Sequence, residues 1–246
     1  MKKRILFLLS SILIYNMVFS VSSSLYEQDF SVKVTVPSTE SKLVTSPQPF
    51  DKDLTSVELT KKMGNGINLG NTLEASRGYN QSTKRTPSSY ETLWGQPEAQ
   101  PRHFEGFARA GFKSVRIPIA WTNMMDYEHG DFTIATAMLD RVEEVVNMAL
   151  DAGLYVVIND HWDGGWWGLF GSADKSHREM AVKMYKSMWL QIANRFKNYS
   201  DKLIFEGGNE EHGDGFNLET VFSNKKKGVL SENQRYDCAN QVNQCF

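Results

Sequence analysis

Strand-then-helix alternation constrains this chain more than any other feature. Leu154-Tyr155-Val156-Val157-Ile158 is an unbroken apolar run, the pattern of a strand covered on both faces. Ahead of it, Ile134, Met138, Val142, Val145, Val146, Ala149 and Leu150 share one face of a helix that Gly153 ends. Behind it, Ser176-His177-Arg178-Glu179 reads as a capping box. On the helix it opens, Met180, Met184, Met188, Ile192 and Phe196 recur at helical spacing beside Ala181, Tyr185, Trp189 and Ala193. Ile67-Asn68-Leu69-Gly70, the run from Ser114 to Trp121, and Leu203-Ile204-Phe205 are further strands, each leading to a helix. Strand starts fall roughly 40 to 50 residues apart, which predicts a parallel sheet, either doubly wound or closed into a barrel. Periodicity alone leaves both open. No G-x-G-x-x-G follows the first strand, so nucleotide binding has little support.

Not all 246 residues serve that sheet. Lys2-Lys3-Arg4 precedes an apolar stretch from Ile5 to Phe19, of secretory-signal length and too short for a comfortable span. The reading is a signal peptide over residues 1–20, cut after Ser20, with an uncleaved anchor as the alternative. Residues 21–50 are Ser/Thr/Pro-rich and read as a linker or N-terminal arm, in which Val32-Lys33-Val34-Thr35-Val36 offers an edge strand. Residues 51–246 hold the β/α units. The expectation is a secreted, extracellular protein with no membrane association after signal removal.

Composition narrows the partners. Hydrophobic residues make up 41% and charged residues 23%, ordinary globular usage. The 27 basic and 29 acidic residues leave a net charge of −2, no footprint for nucleic acid or an anionic membrane. The cysteines are Cys238 and Cys245; on one helix they stand about 10 Å apart along the axis, too far for a disulfide.

Function in parallel α/β sheets gathers at the carboxyl ends of strands. Here those ends carry Asn68, Gly70 and Asn71; Arg116 and Trp121; Asn159-Asp160-His161-Trp162-Asp163-Gly164-Gly165-Trp166-Trp167; and Glu206-Gly207-Gly208-Asn209-Glu210-Glu211-His212. His161, Asp163, Glu210 and His212 are metal-ligand types, but without an H-E-x-x-H or a cysteine pair no metal is expected. Nor is there a G-x-S-x-G nucleophile turn. A carboxylate site for sugars fits better. Trp121, Trp162, Trp166 and Trp167, four of the six tryptophans, offer flat apolar faces suited to a pyranose ring. Glu210 is placed to protonate a glycosidic oxygen. The bland alternative is that the tryptophans cap the sheet and the acids are solvated.

Leu69-Gly70-Asn71-Thr72-Leu73, Gly111-Phe112-Lys113-Ser114-Val115-Arg116-Ile117-Pro118, Ile158-Asn159-Asp160-His161-Trp162-Asp163 and Phe205-Glu206-Gly207-Gly208-Asn209-Glu210 closely resemble glycoside hydrolase family 5, particularly its endoglucanases. The motifs come in the family's order. The resemblance implies an α/β TIM (β/α)8 barrel, this chain covering about the first four β/α units. It implies retaining hydrolysis of a β-glucan or related plant-type polysaccharide, with no cofactor. By resemblance Glu210 is the acid/base, and Asn209 bonds the sugar 2-hydroxyl. Arg116 steers the nucleophile carboxylate, and His161 lines the subsite at the cleavage point. Asn68, Trp121, Trp162, Trp166 and Trp167 are the expected substrate-binding residues. Two departures are Glu211 where many relatives have Pro, and Trp162 where many have a second His.

Retention requires two carboxylates about 5 Å apart. The family places the nucleophile on strand seven, and no acid here is assigned its place: Glu206 and Glu211 are too near Glu210 in sequence. The expectation is therefore a fragment of a secreted β-1,4-glucanase, with little activity alone. Alternatives are a truncated, non-catalytic polysaccharide-binding protein and a doubly wound α/β binding protein unrelated to glycosidases.

Overall fold

The first helix forms where the sequence places a capping box. Thr55 accepts the Glu58 N–H through its hydroxyl, and Glu58 accepts the Thr55 N–H at 3.0 Å, opening α1 (Ser56–Met63). The computed structural model describes residues 29–77, 85–127, 129–210, 218–219, 226–227 and 230–245. The signal-peptide reading of residues 1–20 lies outside the described residues, as do Glu211 and His212.

Four strands follow: β1 (Gly66–Asn68), β2 (Ser114–Ile117), β3 (Tyr155–Asn159) and β4 (Leu203–Glu206). They pair in parallel in the order β1-β2-β3-β4. A doubly wound sheet reverses its strand order at a switch point; these strands run in unbroken sequence instead. This is the order of a barrel wall, and the chain forms the first four β/α units of a (β/α)8 barrel.

Between β1 and β2 lie α2 (Pro87–Glu91) and α3 (Pro101–Arg109); α4 (Thr136–Asp151) joins β2 to β3, and α5 (Lys175–Phe196) joins β3 to β4. The expected apolar face of α4 is the buried one: Met138, Val142, Val145, Val146 and Ala149 all lie inside. Val115, Ile117, Val156 and Ile158 are fully buried on one face of the sheet. On the other face Val157 and Ile204 are half-buried, so the unbroken apolar run of β3 has full cover on one side among the described residues. The helix α5 starts earlier than its sequence signal. Its N-cap is Asp174, which accepts the Ser176 N–H at 2.8 Å, rather than Ser176 itself; Ala193 is exposed. The ionised acceptor, a carboxylate at the positive end of the helix, took the cap. Beyond β4 come a two-stranded antiparallel pair, β5 (Leu218–Glu219) and β6 (Lys226–Lys227), and α6 (Glu232–Cys245). Ser231 and Gln234 bond each other's backbone N–H at the entry to α6, the reciprocal bonds of a capping box. Cys238 is buried and free, and its thiol is pushed up to about 12 by burial.

The arm has more structure than its composition suggests. Phe30, Val32, Val34 and Val36 alternate half-buried with exposed neighbours, the period of a strand, yet they join no sheet. The segment lies instead against α5: Lys186 donates to the carbonyls of Phe30 and Val32, and Thr39 donates to the Gln191 carbonyl at 2.7 Å. Further along, Asn198 donates to the Val44 carbonyl and accepts the Gln48 N–H. Buried Ser41 donates to Glu143 on α4. Helix side chains therefore satisfy backbone groups that an edge strand would have paired.

Candidate active site

In a parallel sheet, residues level in register project to the same face. Asn68, Arg116, Val157 and Ile204 form one such level, and Asn159 with Glu206 the next level toward the carboxyl end. Polar groups on this half-open face thus collect at the strand ends. The side chain of Arg116 reaches across β3 to Glu206, donating from Nε at 2.6 Å and from Nη2 at 2.7 Å. The same Nη2 donates to Asn209 Oδ1 at 2.7 Å. Glu210 follows, exposed, with a φ of 55°. That left-handed conformation is costly for a residue with a Cβ, and such strain concentrates at working sites.

His161 extends the cluster from the end of β3. Asn159 Nδ2 lies 3.2 Å from its Nδ1; with the amide as donor, the neutral ring carries its proton on Nε2. The ring's pKa lies below the usual histidine value, first because of burial and then because of the Arg116 charge; Glu206 and Glu210 pull it back up. Those influences place all four charged or polar groups in one neighbourhood. Asn68 is exposed, level with Arg116, and it lines a cleft of about 440 Å³ between β1 and α3 with Gln96, Arg102 and His103.

The tryptophans divide, and three depart from expectation. Trp121 is fully buried with its Nε1–H on the Asn159 carbonyl at 2.9 Å. Trp166 and Trp167 are buried in a core cluster, stacked on each other at 4.6 Å and packed near Tyr185 of α5. None of these three rings presents a face to a sugar. The cause is local backbone: Asp163, Gly164 and Gly165 all take positive φ (43°, 71° and 77°) at the start of a 3₁₀ segment, Asp163–Gly171. Successive left-handed residues, which the two glycines permit, turn the chain back and tuck the rings inward. Phe30 of the arm stacks on Phe170 of the same cluster.

Trp162 is the exposed one of the four, at 46%. Its neighbour is a residue the sequence did not mark: Trp94, 42% exposed, with ring centroids 6.3 Å apart and planes tilted by 41°. Trp94 sits in the long loop after β1, with no periodic pattern to single it out. Two buried carboxyl groups, Asp160 and Asp163, flank Trp162 in the sequence. Asp160 accepts the Trp166 indole N–H at 3.1 Å. Asp163 accepts the Thr122 N–H and hydroxyl, and burial pushes its pKa up to about 6 despite those bonds and one to Asp160. This pair anchors the turn and faces no cleft. Among the described residues no group of three His, Cys, Asp or Glu side chains could hold a metal ion.

The arrangement offers an exposed carboxyl group (Glu210), an imidazole, an oriented amide and two surface indoles at one sheet end. The sequence pattern of Cellulase (glycosyl hydrolase family 5) matches residues 76–244. The xyloglucan-specific endo-beta-1,4-glucanase of Bacteroides ovatus is 38% identical over 195 residues, 79% of this chain and 36% of that protein. Endoglucanase A of Paenibacillus barcinonensis is 37% identical over 169 residues, 68% of this chain and 40% of that protein. Among solved structures, a Bacteroides ovatus GH5 xyloglucanase in complex with a XXXG heptasaccharide aligns with a TM-score of 0.65 at 36% identity, covering 85% of this chain and 42% of that one. A GH5-4 broad specificity endoglucanase from Clostridium longisporum aligns with a TM-score of 0.62 at 31% identity, covering 76% of this chain and 49% of that one. The chain thus spans half or less of the length of these relatives. The family's sequence pattern over most of the chain, and its fold over the four β/α units, agree: the chain belongs to glycosyl hydrolase family 5.

Proposed function

We propose that this chain is part of a secreted endo-β-1,4-glucanase that cuts cellulose-like chains by retaining double displacement. The observation that carries the reading is the cluster of Arg116, Glu206, Asn209 and His161 beside exposed Glu210. Glu210 donates its proton to the glycosidic oxygen as the bond to the anomeric carbon breaks, and a second carboxylate takes that carbon on the opposite face. Water then attacks the glycosyl intermediate, with Glu210 accepting the water's proton. Asn209 bonds a sugar hydroxyl, His161 lines the cleavage point, and Trp162 with Trp94 stacks against a pyranose face. Asn68 contributes at the rim of the cleft.

The nucleophile comes from outside the four strands described here. Glu206 is engaged by Arg116, and Asp160 and Asp163 are buried, so none of these opposes Glu210. Xyloglucan and other β-1,4-glucans are the substrate class favoured by the names of the relatives. A second reading, polysaccharide binding without cleavage, is favoured by the lack, among the described residues, of a carboxylate opposing Glu210 beside two exposed indoles. The 246-residue chain and the same chain joined to four further β/α units of the family decide between them. Expected is reducing-sugar release from soluble β-glucan and xyloglucan by the eight-unit protein, with anomeric retention by NMR and loss of activity in Glu210→Gln. Release by the 246-residue chain itself, abolished by Glu210→Gln, would place the nucleophile within it. An eight-unit protein that binds but never cuts would favour the second reading.

A further inference from the structure

Glu206 takes no part in those proton transfers, yet it makes the most specific contacts at the strand ends. Its two oxygens accept from Nε and Nη2 of one guanidinium at 2.6 and 2.7 Å, a bidentate fork that fixes both the position and the plane of the arginine. The pair spans β3: Arg116 stands level with Val157, and Glu206 level with Asn159, one residue pair further on. Without the Glu206 carboxylate, Arg116 would keep one of these three bonds, the single contact to Asn209, in place of a two-bond fork.

Arg116 passes this order on. An asparagine amide has an accepting end and a donating end, and by itself it can turn either toward a ligand. Nη2 can only donate, so its 2.7 Å bond to Oδ1 fixes which end of Asn209 faces the arginine. The Nδ2 donors must then face away from it. We infer that Glu206 is a positioning residue: by holding Arg116 across β3 it turns the amide nitrogen of Asn209 toward the sugar. The sugar-binding part rests on the proposed reading of Asn209; the orientation itself does not. Glu206 also offsets the Arg116 charge beside His161, since the two move that ring's pKa in opposite directions.

The test uses the 246-residue chain with Glu206→Gln, Glu206→Ala and Arg116→Lys, and reads the Asn209 side-chain amide signals and the His161 titration by NMR. In Glu206→Ala the two Asn209 amide protons should broaden or merge, and the His161 pKa should fall further as Arg116 loses its counter-charge. Glu206→Gln keeps an acceptor but no charge, so it should lower the His161 pKa while shifting the Asn209 signals less. Arg116→Lys should reproduce the Asn209 change with Glu206 intact. Cellotetraose binding, followed in the same spectra, should weaken up to about ten-fold in Glu206→Ala, the scale of one neutral hydrogen bond. A lowered melting temperature with unmoved Asn209 and His161 signals would reduce Glu206 to a structural ion pair. Should Glu206→Ala not fold, Glu206→Gln and Arg116→Lys carry the test. Altered Asn209 and His161 signals in a chain that never binds cellotetraose would uphold the positioning and remove the sugar-site reading instead.

Discussion

In the body of the molecule Arg195 of α5 donates to Glu143 and Asp140 of α4, while Ser41 of the arm and Tyr199 donate to the same Glu143. At the strand ends Arg116 donates to Glu206 and Asn209. The donors and acceptors are alike, but the surroundings differ. The Glu143 and Arg195 side chains are 0% and 3% exposed; those of Arg116 and Glu206 are 23% and 34% exposed. Three further groups, Asp140, Ser41 and Tyr199, converge on the buried pair, because an unmet charge there is expensive. The open pair keeps contact with water, so its ionic part contributes little to stability and its geometry can serve a ligand.

Breaking each pair should separate the two cases. Glu143→Ala leaves the Arg195 charge buried and should destabilise the fold by about 3 to 5 kcal/mol, measured by denaturant unfolding. Glu206→Ala should cost no more than about 1 kcal/mol in the same assay. Equal losses would contradict the division between a structural and a functional pair. The indoles provide a parallel contrast. Trp166→Ala removes a fully buried ring and should cost about 3 to 5 kcal/mol, whereas Trp162→Ala should change stability by under about 0.5 kcal/mol. Cello-oligosaccharide affinity should respond in the opposite order. A Trp162→Ala chain that binds normally would remove the exposed indoles from the site.

The smallest effect concerns pH. Asp163 is held up to about 6, first by burial, against an ordinary value near 4. Its stabilising contribution is complete below pH about 4 and is lost as pH rises through about 6, where a buried carboxylate must form. Asp163→Asn cannot ionise. Its melting temperature should therefore fall less than that of the native chain between pH 4 and 7, by a few degrees at most. Parallel curves would show that the carboxyl pair flanking Trp162 does not titrate over this range.

The sheet and its helices were legible because burial on α4 and the strands follows local periodicity, which a sequence displays directly. Arg116, His161, Asn209 and Glu210 were reached through motif resemblance, and the structure brings them together. Trp166 and Trp167 were misread because an indole just past a strand resembles a cleft residue; Gly164 and Gly165 reverse the chain, and Tyr185 of the following helix, α5, receives the rings. Trp94 carried no local signal, and Glu206, though inside a motif, gave no sign of its pairing with Arg116. The first depends on where a long loop lands, and the second on an arginine two strands away. The alternation of Val32, Val34 and Val36 was real, but helix α5 met it rather than a sheet edge.

Sorting the indoles has an optical consequence. Trp121, Trp166, Trp167 and Trp189 are enclosed, while Trp94 and Trp162 are open to solvent and stand together at the strand ends. Emission from the enclosed set falls to the blue and resists a water-borne quencher; the open pair emits to the red and is quenched readily. A ligand seated on Trp94 and Trp162 should therefore act chiefly on the red, quenchable fraction, so the native chain carries its own gauge of occupancy without an added label.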